Sequence, residues 1–312
     1  MKMKETFVGP TIRRTCLLAL AAILPLAACD ESTSPDDDGR LELAFTGLEP
    51  LANGYHYEGW AITDGTPVST GKFNVDTNGV LVTVAGATIT DGAFDTDVDL
   101  EDADEIVITI EPSGDTDAVP SSTKILAGSL TGTSATLSID ASQALGTNFS
   151  TAEGTFILAT PTDGDTTANE TSGIWFLEMV GGMPMAGLVL PTLPAGWRYE
   201  GWAVIDGQPV TTGTFTTPIG ADAAAPFSGP QPGPPFPGED FLMNAPAGLS
   251  FPTNLSGAMA VITVEPMPDD SPMPFTLKPL TRAIPAGAAD RTPYAMSLST
   301  TSFPSGTATV DD

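Results

Sequence analysis

An internal repeat limits what this chain can fold into more than any other feature of its sequence. Residues 57–68 (YEGWAITDGTPV) recur as residues 199–210 (YEGWAVIDGQPV), and Thr-Gly-x-Phe follows in both copies. A long match of this kind is typical of a duplicated structural unit. We therefore expect two related units within the 312 residues of the chain.

A second pair of blocks supports the duplication. Residues 107–112 (VITIEP) recur as residues 261–266 (VITVEP), and the same offset of 154 residues aligns Lys124 with Lys278. Both pairs of blocks stand in the same order, with the tryptophan block first in each unit. Two matched blocks in one order favour duplication of a whole unit.

The blocks have the pattern of β-strands joined by turns. Residues 57–62 are aromatic and β-branched and run into Asp-Gly, which favours a hairpin whose second strand ends at Phe73. Residues 107–110 form a short apolar run closed by Glu-Pro, typical of a buried strand. Further strands are predicted at 80–84, 135–139, 155–159 and 174–178. No segment shows a convincing helical period, so the predicted fold class is all-β, with two tandem β-sandwich (Ig-like) modules.

Glycine and proline residues predict the borders of the modules. Gly181-Gly182-Met183-Pro184 interrupts the strand pattern near residues 180–186. We therefore predict a first β domain at residues 41–180 and a second at residues 187–312. Within the second, residues 226–238 hold six prolines and three glycines, which indicates a loop close to polyproline II. Aromatic residues in that loop favour packing against the module over binding to another domain.

The N-terminus has the layout of a secretory signal. Residues 1–28 combine basic residues, an apolar run of about ten residues and small residues before Cys29. The run is roughly half of the ~20 residues that cross a bilayer as a helix, so no retained transmembrane segment is expected. The ending Leu-Ala-Ala-Cys resembles the bacterial lipobox, in which the enzyme cuts on the N-terminal side of the cysteine and the thiol is diacylated. An ordinary secreted protein is the alternative.

Lipidation of Cys29 would determine where the protein acts. Residues 29–40 are then a lipidated cysteine with a flexible acidic tether, and the modules lie on the periplasmic or cell-surface side. The chain contacts the membrane through its N-terminal lipid, and an envelope protein is the expected kind of partner. Asp30 resembles an enterobacterial retention signal for the inner membrane, but that rule does not hold across phyla, so the choice of membrane stays open.

The charge of the chain excludes several partners. The formal net charge is −28, and removal of residues 1–28 leaves 7 basic and 38 acidic residues. Such a surface repels nucleic acid and anionic headgroups, so no nucleic acid partner is expected. The other cysteine, Cys16, leaves with the signal, so the mature chain has no disulfide.

Residues suited to catalysis are sparse. The sequence has no Gly-x-Ser-x-Gly elbow, His-Glu-x-x-His helix, P-loop or dinucleotide fingerprint, so we expect no enzyme, no catalytic residues and no cofactor. The recurring carboxylates would suit the acid pair of a glycosidase. We favour a structural role, in which they form partly buried ion pairs with the lysine kept in each unit. The residues concerned are Glu58, Glu111 and Lys124 in the first unit and Glu200, Glu265 and Lys278 in the second.

The other candidate residues have plainer interpretations. Trp60 and Trp202 are predicted to be core aromatics. His56, the single histidine, has Arg198 as its counterpart, so a duplicated histidine site is excluded and an exposed strand histidine is favoured over a metal ligand. The acidic residues of 95–105 alternate in a way that suits Ca²⁺ but lack the glycine and spacing of an EF-hand loop. A solvated acidic loop is favoured, and no metal site is predicted.

Together the blocks resemble the C-terminal, extracytoplasmic domain of anti-sigma-K factors, the regulators of sigma K. The resemblance rests on the strand with Trp60, the Gly-x-Phe that ends at Phe73 and the later Glu-Pro strand, and both blocks occur twice. With the strands between the blocks it covers most of residues 41–300. The resemblance implies a β-sandwich on the outer side of the membrane.

Departures from the family limit what the resemblance implies about function. Family members normally have a cytoplasmic helical domain that clamps the sigma factor, followed by one transmembrane helix, and a lipoprotein signal replaces both here. Direct sigma factor binding is therefore not expected. The resemblance implies a non-catalytic binding or sensing role in the cell envelope, and a structural or adhesive lipoprotein without a signalling role is the alternative.

Overall fold

The structure, a computed structural model, describes residues 39–96, 99–301 and 303–311. The predicted signal segment, Cys29 and most of the tether lie outside these residues. Among the described residues, no helix has the length and apolar character needed to cross a membrane. The first strands are β1 (Gly39–Thr46), β2 (His56–Thr63), β3 (Thr66–Val75), β4 (Leu81–Val82), β5 (Ala93–Thr96), β6 (Glu105–Glu111), β7 (Lys124–Ser129), β8 (Ser134–Ser138) and β9 (Glu153–Leu158), with a 3-10 turn at Thr90–Gly92.

The rest of the chain is built in the same way, so the predicted all-β class is confirmed. Most of these strands are short and separated by turns rich in Gly, Pro and Asp. They are β10 (Gly173–Trp175), β11 (Leu177–Val180), β12 (Met183–Ala186), β13 (Leu188–Val189), β14 (Trp197–Ile205), β15 (Gln208–Phe215), β16 (Gly238–Asp240), β17 (Met259–Pro266), β18 (Leu280–Ala283), β19 (Tyr294–Ala295), β20 (Ser297–Leu298) and β21 (Ser305–Asp311).

The described strands form four sheets. The largest has nine strands in the order β4-β3-β2-β6-β7-β8-β21-β1-β5. A second sheet runs β15-β14-β17-β18-β20, a third runs β13-β9-β10-β16 with β19 added on β9, and β11 pairs with β12 alone. The order β3-β2-β6-β7 of the first sheet is matched by β15-β14-β17-β18 of the second. We call β2–β3 the first Trp hairpin and β14–β15 the second Trp hairpin.

The two Trp hairpins agree residue by residue. Trp60 lies opposite Val107 on β6, and Trp202 lies opposite Val261 on β17. Each hairpin also has a β-bulge directly before its tryptophan. A Cβ on Gly59 would lie 2.5 Å from Oγ1 of Thr70, so this position of the bulge requires glycine.

The turns of both hairpins explain why the chain reverses there. Asp64 and Gly65 have φ angles of 50° and 75°, and Asp206 and Gly207 have φ angles of 51° and 84°. Positive φ at both central residues is the condition for a type I′ turn, which matches the right-handed twist of the flanking strands. The Asp-Gly pair thus sets the register of each hairpin.

Aromatic side chains on one face of each hairpin enter a shared core. Tyr57 stacks on Phe73 with ring centroids 5.5 Å apart, and Tyr199 stacks on Phe215 at 5.6 Å. Side chains from both halves of the sequence belong to the same apolar cluster, and the described residues form one compact unit. This packing leaves the opposite face of each hairpin free for polar groups.

Strand pairing does not follow the border predicted near residue 180. The last strand, β21, lies between β8 and β1 in the nine-stranded sheet, although the sequence placed it in the second module. Its alternating Ala308 and Val310 are buried and pair with Leu43 and Leu41. Residues 180–186, predicted as an interruption, belong to the hairpin β11–β12, which turns at Gly181-Gly182. The division into two modules stays a prediction.

The proline-rich segment at residues 226–238 packs against the fold, as its aromatic residues predict. Phe236 is 7% exposed and lies in a small apolar cluster with Trp175. Phe227 contacts the ring of Phe241 with centroids 5.9 Å apart. The segment is therefore part of the module and is not a free polyproline ligand.

Candidate functional site

The polar face of the first Trp hairpin holds ionisable side chains that are almost fully buried. Alternate residues of a strand point to opposite faces, so His56 and Glu58 share the face opposite Tyr57. On the neighbouring strand β6, Glu111 lies opposite His56 and Thr109 lies opposite Glu58. Glu58 and Glu111 are each 1% exposed. The burial of a charged group costs free energy unless a partner neutralises its charge, so these two carboxyl groups need partners.

His56 is buried, whereas the sequence favoured an exposed histidine. The residue is 4% exposed, because β6 covers the start of β2. Its Nδ1 atom lies 3.4 Å from the carbonyl oxygen of Gly54, and its Nε2 atom is buried with no hydrogen-bond partner. A proton on Nδ1 leaves a lone pair on Nε2 that no protein group uses.

Lys72 on β3 neutralises the carboxylates of this face. Its Nζ atom lies 3.4 Å from Oε2 of Glu58 and 3.0 Å from Oδ2 of Asp115. It also donates a hydrogen bond to the carbonyl oxygen of Asp115 at 3.0 Å. The lysine that meets Glu58 is therefore Lys72, not the predicted Lys124. Asp115 comes from the turn after β6, so three segments of the chain meet at this ammonium.

Ligand atoms of three residues converge beside Lys72. His56, Glu58 and Asp115 each offer one atom, and these atoms all lie within 4.8 Å of one another. Within the described ranges this is the one group of three or more such residues with that spacing. We call these three residues the His56 cluster. One nitrogen and two carboxylate oxygens form a set that can hold a metal ion.

Electrostatics tie the cluster together. Burial lowers the pKa of Lys72, but the hydrogen bond with Asp115 and the charges of Glu58 and Asp115 outweigh burial, so this pKa is raised. The ammonium is therefore fully charged near neutral pH. Burial raises the pKa of Glu111, which accepts hydrogen bonds from Thr109 Oγ1 and from the backbone N–H of Ser121.

The second Trp hairpin has other residues at the same positions. Arg198 stands where the first hairpin has His56, Thr214 where it has Lys72 and Asp269 where it has Asp115. Glu200 and Glu265 are kept, at 6% and 1% exposure. No histidine and no lysine lie on this polar face of the second hairpin.

Protonation takes the place of ion pairing in the second hairpin. Burial raises the pKa of Glu265 to about 8 and that of Glu200 to about 7. The charge of Asp269 raises both further. Glu265 therefore mostly keeps its proton near neutral pH and Glu200 is partly protonated, which reduces the need for a cationic partner.

The lysines predicted as ion-pair partners have other contacts. Lys278 donates hydrogen bonds from Nζ to the carbonyl oxygens of Phe275 at 2.6 Å and Pro274 at 3.3 Å. Burial lowers the pKa of Lys278, and the charges of Glu49 and Glu265 oppose that effect. Of the ion pairs within 4.0 Å that the described residues form, none includes Lys278 or Lys124.

The tryptophan of each Trp hairpin is buried and donates a hydrogen bond to the neighbouring strand. Trp60 and Trp202 are 0% and 2% exposed. Indole Nε1 of Trp60 donates to Oγ1 of Thr109 at 2.9 Å, and that of Trp202 donates to Oγ1 of Thr263 at 2.8 Å. A buried indole N–H needs such a partner, and the same threonine of each strand supplies it.

The acidic run at residues 95–105 is only partly described, because Asp97 lies outside the described residues. The backbone N–H of Glu101 donates to Asp99 at 2.9 Å, and that of Asp64 donates to Asp104 at 3.3 Å. The carboxylates at 95, 99, 101, 102 and 104 are exposed. Binding of Ca²⁺ by this run stays untested.

Comparison with known proteins gives one match. Residues 31–125, less than a third of the chain, match the family model described as the C-terminal domain of the anti-sigma-K factor rskA. No curated protein matches the chain, and no solved structure does. The matched residues include the whole first Trp hairpin, β6 and the His56 cluster.

Proposed function

We propose that this chain is a non-catalytic regulatory protein of the cell envelope, held on its membrane by a lipid on Cys29. The observation that carries the proposal is the match of residues 31–125 to the C-terminal domain of an anti-sigma-K factor. This family is regulatory and non-catalytic. In this proposal the matched residues form the outer module of such a regulator, and that module supports a binding or sensing role.

The second half of the chain contributes a second module of the same kind in this proposal. It lies outside the matched residues, so its support comes from its sequence blocks and strand register. Strand β14 pairs with β15 and β17 in the register that β2 keeps with β3 and β6. Two such modules on one tether would present two related surfaces to an envelope partner.

The N-terminal sequence supports the location. Residues 1–28 read as a secretory signal, and Cys29 follows small residues as in a lipobox. A lipid anchor with a short tether keeps the modules at the membrane surface on the periplasmic or cell-surface side. The partner is then an envelope protein, such as a membrane-spanning regulator, and not a sigma factor in the cytoplasm.

A pull-down from solubilised envelopes tests this proposal. The wild-type protein is compared with Cys29→Ala, and membrane retention is measured for both. We expect the wild type to stay with membranes, the variant to be released, and a transmembrane anti-sigma factor or a stress protease to co-purify. Retention of Cys29→Ala on membranes would contradict the lipid anchor.

A structural or adhesive envelope protein is the second candidate, and one observation favours it. The hairpin β11–β12 exposes several neighbouring apolar side chains, and contiguous apolar patches mark interaction sites. Met183 is 65% exposed, Val180 is 52% exposed and Met185 is 50% exposed. Recovery of only lipid and abundant wall proteins in the pull-down would support this candidate over the regulatory one.

A further inference from the structure

We propose that His56, Glu58 and Asp115 form a binding site for one divalent transition-metal ion of the Zn²⁺ class, which enters as the Lys72 side chain moves out. The proposal goes beyond the regulatory role and does not depend on it. It rests on the geometry of the first Trp hairpin.

An unused donor atom points to a ligand. Nε2 of His56 is buried without a hydrogen-bond partner, and Oε2 of Glu58 has only the ammonium of Lys72, 3.4 Å away. A buried polar atom without a partner costs free energy, and few such atoms persist in folded proteins. A metal ion would satisfy both atoms at once.

The surroundings of His56 suit a metal ligand. Its Nδ1 lies 3.4 Å from the carbonyl oxygen of Gly54, an arrangement that favours the tautomer with the proton on Nδ1 and the lone pair on Nε2. Metal-bound histidines in proteins commonly donate their other N–H in this way. Gly54 has a φ angle of 83°, and a Cβ there would lie 2.5 Å from Oγ of Ser113, so the turn that presents this carbonyl requires glycine.

The charge of the site matches a divalent ion. Glu58 and Asp115 bring two negative charges, and the Lys72 ammonium now offsets one of them. A lysine side chain is long and flexible, and that of Lys72 is 32% exposed. A bound M²⁺ would then replace one cation with another.

The donor set selects the class of metal. Imidazole nitrogen suits Zn²⁺ and other transition metals, whereas Ca²⁺ and Mg²⁺ take oxygen ligands almost exclusively. Three protein ligands leave a fourth position for water, as in open zinc sites. Zn²⁺ is therefore the probe of choice, with Ca²⁺ and Mg²⁺ as negative controls.

The second Trp hairpin provides the control within the same chain. Arg198 replaces the histidine there, and its permanent positive charge repels a metal ion. Glu200 and Asp269 remain, so the second hairpin keeps these carboxyl groups without the histidine. The proposal places the ion in the first hairpin only.

The experiment uses the fact that His56 is the single histidine of the chain. The full chain, purified in detergent, is titrated with Zn²⁺ near neutral pH while its imidazole NMR signals are followed. We expect these signals to shift and to saturate at one Zn²⁺ per chain, with no shift on addition of Ca²⁺ or Mg²⁺. Imidazole signals that do not move in excess Zn²⁺ would overturn the proposal without any variant.

Calorimetry on variants tests the assignment of each residue. His56→Gln is expected to weaken Zn²⁺ binding about a hundredfold, because one of three ligands is lost. Lys72→Met is expected to tighten binding about tenfold, because the competing cation is gone. Glu200→Gln, at the matched position of the second hairpin, should leave the affinity unchanged. Wild-type affinity in folded His56→Gln, or weaker binding in Lys72→Met, would contradict the site.

Discussion

The two Trp hairpins have the same backbone frame but neutralise their buried carboxylates in different ways. In the first, Lys72 forms ion pairs with Glu58 and Asp115. In the second, Thr214 stands in place of that lysine, and burial raises the pKa of Glu200 to about 7. Both solutions avoid an isolated buried charge. A frame fixed by backbone pairing and aromatic packing can therefore carry different chemistry on its polar face.

The difference bears on function because, among the described residues, only the first face combines a histidine nitrogen with carboxyl groups. A protonated carboxyl group is a poor ligand, and an arginine beside it repels cations. The first face instead has a histidine nitrogen without a hydrogen-bond partner beside two carboxyl groups that contact Lys72. The first hairpin also lies within the residues that match the anti-sigma-K domain, so a signal sensed there would act inside the matched module.

The largest expected effect is on the free energy of unfolding, and it tests whether the two Trp hairpins contribute equally to stability. Trp60→Ala and Trp202→Ala each remove a buried indole and its hydrogen bond to a threonine. We expect each substitution to lower the free energy of unfolding by about 3–5 kcal/mol. Chemical denaturation of both variants measures it. A large cost in one variant and almost none in the other would show that the frames are not equivalent.

The next effect is the pH dependence of stability, to which the second hairpin contributes through Glu265 and Glu200. The pKa of Glu265 is raised to about 8 from an ordinary value of 4.5, and that of Glu200 to about 7. A carboxyl group with a raised pKa stabilises the fold fully below its ordinary pKa and loses that stability as pH rises through the folded value. The free energy of unfolding should therefore fall between pH 5 and pH 9, by on the order of 3 kcal/mol.

Glu265→Gln sharpens the pH test because the amide mimics the protonated carboxyl group. Its denaturation midpoint should depend less on pH than that of the wild type. Glu111→Gln, at the matched position of the first hairpin, should reduce the dependence less, since burial raises the pKa of Glu111 by a smaller amount. If the two substitutions reduced the pH dependence of the denaturation midpoint equally, the proposed difference between the hairpins would be contradicted.

A smaller effect separates Lys72 from Lys124. Lys72→Met leaves Glu58 and Asp115 without their cation, so the free energy of unfolding should fall by about 1–3 kcal/mol. Lys124→Met is the matched control, since the described residues place no carboxylate within 4.0 Å of that lysine. A change within about 0.5 kcal/mol is expected there. Denaturation at one pH compares the two, and a larger loss in Lys124→Met would restore the pairing expected from sequence.

The smallest effect tests a contact that both hairpins share. The hydroxyl of Tyr57 donates to the carbonyl oxygen of Glu49 at 2.9 Å, and that of Tyr199 donates to the carbonyl oxygen of Pro191 at 2.7 Å. Tyr57→Phe and Tyr199→Phe should each lower the free energy of unfolding by about 1 kcal/mol. Thermal unfolding of both proteins measures it. Unequal losses would show that the entry into the two hairpins differs.

Local sequence signals predicted the frame well. The Asp-Gly pairs, the alternation around Trp60 and the Glu-Pro strand ends each act within a few residues, so their structural effect can be read directly. The proline-rich loop was also predictable, because its phenylalanines need burial. The final strand was missed, since the weak alternation of Ala308 and Val310 gives no hint that it pairs with β1 and β8.

The site depends on features that a single sequence hides. A two-residue turn without a bulge would place Glu58 opposite Gly71, and the bulge before Trp60 moves its partner to Lys72. The repeat drew attention to Lys124, which has a counterpart, and away from Lys72, which has none. Asp115 lies in the turn after β6, far from Lys72 in the sequence. Burial of His56 follows from strand pairing across more than fifty residues, which sequence pattern alone does not reveal.

The most direct test of the contrast between the hairpins is anomalous scattering at the zinc edge from crystals of the protein grown with Zn²⁺. We expect one strong peak between His56, Glu58 and Asp115, with the Lys72 side chain turned away. We expect no peak beside Glu200 and Asp269. A peak in the second hairpin, or none in the first, would contradict the claim that only the first polar face is built to bind a metal ion.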